Sequence, residues 1–261
     1  MSRTREESTR YWDQHPIGVE IIGGMPTSIE EYTRYVDYYD HFYEYKHRVF
    51  KYEKYSGKSV LEIGCGLGID TIKFARAGAK ITAIDLSTTA VKSTQRLLEY
   101  YHTGAEVKKM SVEELDYADE SFDAVYAYGV LMHVENEEKA VREIYRVLKY
   151  GGEALVVLYH RFSWYWLLVK LTRTKVESET GDPPVIRVHS VKGVRRLFRN
   201  FSKVEISLER FPQHTRRRRG IMAFLFNRFF VPAIEAVPKA WIRPFGWHII
   251  VKAVKEGSEG Y

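Results

Sequence analysis

Cysteine is almost absent from this sequence. Cys65 is the single one in 261 residues, which excludes an internal disulfide framework and any multi-cysteine zinc site, and fits a reducing compartment. No metal-ligand set is expected. Also missing is a run of the roughly 18 uninterrupted apolar residues that a membrane span needs. No apolar stretch follows Met1-Ser2-Arg3-Thr4-Arg5-Glu6-Glu7, so no signal peptide is expected and the expected location is cytoplasmic. No internal repeat is found. Hydrophobic residues make up 45% and charged residues 28%, which excludes a disordered tail and a membrane bundle. The length suffices for one large domain, or one domain with a modest elaboration.

Two excesses stand against these absences. Aromatic residues reach 14%, with 19 tyrosines, and 40 basic against 34 acidic residues leave a net charge of +6. A basic balance admits three partners: nucleic acid, a membrane surface or an acidic small molecule. The tyrosines crowd into residues 1–57, where Tyr32, Tyr35, Tyr39 and Tyr43 repeat at offsets of three and four. That spacing makes one stripe of a helix. The stripe either packs an N-terminal helical cap on the main domain, or lends some rings, with Tyr11 and Trp12 upstream, to close over a ligand.

Residues 58–160 alternate strand and helix patterns. Strands are expected at Ser59–Ile63, Lys80–Ile84, Glu106–Met110, Asp123–Tyr128 and Glu153–Tyr159, and helices at Asp70–Ala77, Thr88–Tyr101 and Glu137–Leu148. Gly78 and the pair Gly151-Gly152 read as helix ends. Such alternation predicts right-handed βαβ units and a doubly wound, mostly parallel α/β sheet. Residues 161–261 continue the same domain, with a helix at Val191–Phe201, a strand at Lys203–Leu208 and a last strand at Trp247–Val254. The stretches 161–190 and 212–246 break the alternation and read as substrate-lid insertions, expected to build a substrate cavity together with residues 1–50.

The most informative segment is Val60-Leu61-Glu62-Ile63-Gly64-Cys65-Gly66-Leu67-Gly68. An apolar strand runs into three alternate glycines, which let the backbone turn tightly and approach a ligand without Cβ obstruction. Asp85 closes the next strand 19 residues after Gly66, where a carboxylate can accept both hydroxyls of a ribose. A dinucleotide loop would need glycine at position 69, and Ile69 stands there. Glu62, two residues before the first glycine, suits a cationic amino-acid ligand and not a pyrophosphate.

With these residues the chain resembles class I S-adenosylmethionine-dependent methyltransferases, in the small-molecule branch with quinone, sterol and sugar methyltransferases. The likeness continues through Ser111–Leu115, Asp119–Val125, Val130–Val134 and Ala140–Gly152. The resemblance implies a Rossmann-like seven-stranded sheet with an antiparallel last strand, and S-adenosyl-L-methionine as cofactor. It implies that Gly64 and Gly66 approach the methionine part while Glu62 supports its amino group or the loop. Asp85 takes the ribose hydroxyls, Leu86 packs on the adenine, and Ser111, Val112 and Glu113 meet its edge. Tyr128 and Gly129 border the methyl group. Cys65, Asp119 and Asp123 are expected to serve packing and turns.

Methyl transfer from a sulfonium rests mostly on positioning, and a hydroxyl acceptor also needs a base. His133, after the fourth strand, is the expected base, and Tyr11 is expected near the sulfonium, where an aromatic face attracts a cation. Trp12, His15, His160 and Arg161 are expected to contact the acceptor. The positive charge gathers outside the core, from Arg187 to Lys203 and at Arg216–Arg219, beside the apolar segment 221–231. This basic stretch therefore reads as a solvated charge run on a helical lid, as a contact of Arg216–Val231 with lipid or a peripheral membrane surface, or as a site for an anionic acceptor such as a phosphate or carboxylate. Nucleic acid is not expected, because no appended RNA-binding module or acceptor motif of that type is present. The expected acceptor is a small molecule methylated on oxygen, apolar or lipid-linked. RNA or protein methylation, and a non-catalytic cofactor-binding partner, are the alternatives.

Overall fold

The structure, a computed structural model, describes residues 2–17, 19, 23–178, 181–212 and 221–256. Seven strands build one sheet: β1 Ser59–Ile63, β2 Lys80–Asp85, β3 Glu106–Lys109, β4 Phe122–Tyr128, β5 Leu148–Tyr159, β6 Lys203–Glu209 and β7 His248–Val254. Their spatial order is β3-β2-β1-β4-β5-β7-β6. The pairs among β1 to β5 are parallel, and β7 runs antiparallel between β5 and β6. Eleven α-helices are described: α1 Arg3–Gln14, α2 Ile29–Phe42, α3 Tyr45–Phe50, α4 Ile69–Arg76, α5 Thr88–Tyr100, α6 Glu137–Val147, α7 Trp164–Thr172, α8 Val191–Leu197, α9 Ile221–Leu225, α10 Val231–Glu235 and α11 Lys239–Ile242. The doubly wound sheet with a reversed last strand is the architecture expected from the sequence.

Local chemistry explains the boundaries. Ser28, Ser87, Asn136, Ser163 and Ser190 each accept a backbone N–H of the first turn of the helix they precede, satisfying donors that no helical carbonyl can reach. The central strands β1 and β4 are buried along nearly their whole length, as strands covered on both faces must be. One expectation fails. Gly151-Gly152 do not end a helix: α6 stops at Val147 and β5 begins at Leu148. The chain turns at Gly151 (φ +76°), and the β4–β5 register shifts between Phe122 and Ala124, so the glycines serve a strand irregularity instead.

The tyrosine stripe divides its labour. Tyr32 is wholly buried, packs with Ile72, Leu97 and Leu98, and shares a hydrogen bond of 2.8 Å with Ser93. Tyr35 packs on Leu67 and Ile69. Burying such a ring is worth about 1.5–3 kcal/mol, so these two rings clamp α2 onto α4 and α5. Tyr39 and Tyr43, further along, face a cavity described below.

Candidate functional site

A cleft opens where the ends of β1, β2, β3 and β4 meet. Its floor is the turn after β1, where Gly64, Gly66 and Gly68 all take positive φ. A Cβ on Gly64 would sit 2.2 Å from Val130 Cγ2, so only glycine lets the loop lie this close to the β4 turn. Asp85 is held beside this floor. Gly66 N–H donates to its Oδ2 (3.0 Å) and Ser87 N–H to its Oδ1 (2.9 Å). Burial pushes the Asp85 carboxyl above its ordinary range despite these bonds. Leu86, Ala90, Met110 and Val112 make the adjoining wall apolar.

Helix α1 is latched across this cleft at both ends. Arg5 donates to Glu113 (2.8 Å) and Glu114 (3.0 Å), and Ser2 bonds Glu135. At the other end Asp13 accepts from Ser87 Oγ (2.7 Å) and Thr89 N–H (3.1 Å). Trp12 and Ile17 thereby become part of the lining.

A second cavity lies beyond the glycine loop and shares Ile17, Gly64, Gly66, Tyr128 and Gly129 with the cleft. Its other walls are aromatic: Tyr35, Tyr39 and Tyr43 from α2 and its end, Tyr159 from β5, Tyr165 from α7, and Trp247 before β7. Five polar side chains, Glu62, Asp70, Glu177, Arg210 and His248, complete it. The described part of 212–246 contributes no lining residue to either cavity.

Below the chamber sits a buried ion pair. Lys46 is 1% exposed and pairs with Asp70. Tyr52 (2.7 Å) and Tyr126 (2.9 Å) also donate to the Asp70 carboxylate, and Lys46 donates to Tyr39 (2.8 Å). Burial lowers the Lys46 ammonium to about 8. Burial would raise Asp70, but Lys46 and Lys73 hold it below its ordinary value. Glu62 lies alongside, accepts from Thr71 Oγ1 (2.5 Å), and is pushed well up by burial and by Asp70.

On the wall of the cleft His133 ends a short turn, Leu131–His133, after β4. Its Nδ1 bonds the Val185 carbonyl (2.8 Å), which assigns the proton to Nδ1. Nε2 is buried without a hydrogen-bond partner and stands 3.5 Å from Glu177 Oε1. Glu177 accepts from Tyr159 OH (2.5 Å). Burial opposes ionisation of Glu177, yet His133, Tyr159 and Arg210 bring its carboxyl below the usual range.

The structure gathers Gly64, Gly66, Asp85, Leu86, Ser111, Val112, Glu113, Tyr128, Gly129, Trp12 and His133 around the cleft, and Glu62 on the chamber side of the loop. Glu113 turns its carboxylate to Arg5 and to the Asn136 N–H, so it acts first as the anchor of α1. Four expected residues lie outside both linings. Tyr11 donates to the Gly181 carbonyl (2.9 Å) and stacks on His15, whose Nδ1 bonds the Tyr11 carbonyl. His160 is buried against the Gly246 carbonyl, in a bridge with His189, and Arg161 is exposed. Backbone pairing beyond the end of β5 draws 160 and 161 toward His189 and away from the chamber. Sequence reading missed Glu177, Arg210 and His248. The first two lie in stretches without periodicity, and His248 carried only the alternation of a strand.

The chain was compared with known proteins. A protein-family model described as "Methyltransferase domain" matches residues 61–156. A ubiquinone biosynthesis O-methyltransferase of Dechloromonas aromatica (strain RCB) is 36% identical over 109 residues, 41% of this chain and 46% of that protein. The O-methyltransferase resE of Aspergillus sclerotiorum is 30% identical over 107 residues, 39% of each chain. The match thus spans less than half the length of these curated relatives. Among solved structures, geranyl diphosphate C-methyltransferase from Streptomyces coelicolor A3(2) aligns over 97% of this chain and 98% of its own, with a TM-score of 0.61 and 15% identity. That likeness is one of fold.

Proposed function

We propose that this chain, whose residues 61–156 match a methyltransferase-domain family model, is a class I methyltransferase that transfers a methyl group from S-adenosylmethionine to an oxygen of a small-molecule acceptor. The observation that carries this reading is the pairing of two cavities through the glycine loop: one fits the donor, the other the acceptor. Residues present fit the donor. Gly66 and Gly129 line the cleft with open space where a Cβ would stand, Asp85 is a buried carboxylate oriented by two backbone N–H groups, and the wall beside it is apolar. Gly64, Gly66, Asp85, Leu86, Ser111, Val112, Tyr128 and Gly129 would hold it. When bound, S-adenosylmethionine supplies an electrophilic methyl group on a sulfonium sulfur. The chain then has to orient the acceptor, exclude water and take the hydroxyl proton, which falls to His133 Nε2. Latched α1, with Trp12 against the His133 ring at 5.1 Å, closes the cleft toward solvent.

The cap 1–57, the core 58–160 and the remainder 161–261 divide these tasks. The cap and core shape both cavities, and 161–190 adds Tyr165, Val176 and Glu177 to the acceptor side. The described residues contain no helix long and apolar enough to cross a membrane. Contact with a membrane surface is a finer reading, supported by exposed Leu167, Leu171, Phe224, Phe229, Trp241 and Phe245 on α7 and the 221–245 helices. Arg216–Arg219, the basic part of that reading, fall outside the described residues. Flotation with anionic phosphatidylglycerol vesicles tests it, and protein left at the bottom of the gradient removes it.

Two measurements test the main reading. Asp85→Ala should weaken S-adenosylhomocysteine binding by roughly tenfold to a hundredfold in calorimetry, the worth of hydrogen bonds to a charged group. Incubation with S-adenosylmethionine and a panel of phenols, alcohols, amines and thiols should yield S-adenosylhomocysteine with a hydroxyl acceptor. Tight donor binding without any turnover across the panel would replace the enzyme by a binding protein.

A further inference from the structure

The chamber holds a cation, Arg210, that forms no ion pair with any described carboxylate, although Glu177 in the same lining feels its charge. Arg210 follows β6 in a left-handed backbone conformation (φ +63°), and its guanidinium lies 5.1 Å from the Phe42 ring centre and 5.0 Å from that of Tyr43. Its Nη1 donates to His248 Nε2 (3.0 Å). Among the described residues no carboxylate forms an ion pair with it, and no other acceptor takes its remaining N–H groups. His248 serves as a fixed acceptor. Burial, then Arg210 and Lys46, hold its imidazole well below its ordinary value, so it stays neutral. With Nε2 accepting from Arg210, Nδ1 carries the proton toward Tyr45 OH (2.5 Å), which in turn bonds Tyr128 OH (2.6 Å). Three side chains from α3, β4 and β7 thus aim one guanidinium, stacked between aromatic rings, into a chamber walled by tyrosines.

We propose that Arg210 is the anchor for an acidic group of the acceptor, and that the acceptor is a planar aromatic molecule bearing a carboxylate. A guanidinium presents a planar fork that matches carboxylate geometry, and flat aromatic walls suit a ring. This inference rests on the methyl-transfer reading, since it assigns the second cavity to the acceptor.

The test is binding with S-adenosylhomocysteine present, using 4-hydroxybenzoate, 4-hydroxybenzamide and 4-methylphenol, which differ only in the group opposite the hydroxyl. Wild-type protein should bind 4-hydroxybenzoate at least about tenfold more tightly than either neutral phenol, the scale of one charge-assisted pair. Arg210→Met should erase that preference and leave the S-adenosylhomocysteine affinity unchanged, and Arg210→Lys should keep part of it. Equal binding of the three phenols by wild type, which needs no variant, overturns the proposal. Loss of S-adenosylhomocysteine binding in a folded Arg210→Met protein also overturns it, because the guanidinium would then hold the donor's own carboxylate. Failure of the underlying reading shows separately, as Asp85→Ala protein whose donor affinity is unaltered.

Discussion

In the His133→Gln variant, turnover of a hydroxyl acceptor at neutral pH should fall by about 10²–10⁴-fold, the worth of a positioned general base, with S-adenosylhomocysteine affinity unchanged. The tautomer makes the case. The Val185 carbonyl takes the Nδ1 proton, so the lone pair of Nε2 faces inward, buried and without a hydrogen-bond partner. Once Nε2 takes a proton, the imidazolium stands 3.5 Å from the Glu177 carboxylate. A carboxylate behind a histidine base stabilises the cation as it forms. Glu177→Gln should therefore lower kcat for a hydroxyl acceptor with KM little changed, because the forming imidazolium loses the carboxylate 3.5 Å away. Glutamine at 133 nearly preserves volume and polarity, so a fall in kcat with an unaltered KM isolates the proton transfer. Unchanged turnover would mean that the methylated atom carries no proton to remove, or that His133 is structural.

The second large effect is on stability. Lys46→Met should destabilise the fold by about 3–5 kcal/mol, since it strands a buried carboxylate. For a chain of this size that lowers the melting temperature by roughly 6–20 °C. Asp70 would retain Tyr52 and Tyr126 as donors but lose the ammonium paired with it, keeping only the weaker influence of Lys73, with Glu62 repelling it from the side. Adding Asp70→Asn to Lys46→Met should recover much of the loss, because a neutral amide tolerates burial better than an unpaired charge. Differential scanning calorimetry of the single and double variants decides the matter; equal melting temperatures for wild type and Lys46→Met would show that the pair contributes nothing. The pair also sets a pH trend. Folding lowers Lys46 from its ordinary 10.5 to about 8, so the unfolded chain binds more protons between those values. The lysine's contribution to stability therefore rises with pH across that window and is lost as pH falls through 8. The Lys46→Met variant should lack that rise.

The sequence made the donor side legible and left the acceptor side mostly hidden. Glycine-rich turns and strand-end carboxylates act through the backbone, so Gly64, Gly66 and Asp85 announced themselves by spacing alone. The strands of the core did likewise, because burial on both faces writes long apolar runs. Gly151-Gly152 misled because glycine marks a positive φ and not the kind of element that contains it. Arg210, Glu177 and His248 belong to three separated segments whose meeting depends on tertiary path, and nothing local in the chain marks them as neighbours. Tyr11, His15, His160 and Arg161 erred in the opposite direction. Each has the chemistry for a site, and each lies near the right sheet edge in sequence, but local bonds to Gly181, Tyr11, His189 and Gly246 settle their positions.

The antiparallel β7 has a further meaning for how this molecule can change. Glu209 pairs with His248, and the Trp247 N–H reaches back to the Arg210 carbonyl (3.1 Å). Gly246 is packed so tightly there that a Cβ would meet the Glu209 carbonyl at 2.7 Å. Everything between 211 and 246 therefore leaves and re-enters the fold through a neck closed by backbone hydrogen bonds. Because loop entropy grows only slowly with length, about 0.6 kcal/mol per doubling, such a neck works as a splice point. A shorter or foreign cassette could be joined across it while Arg210 and His248 keep their places, leaving the described walls of the chamber unaltered.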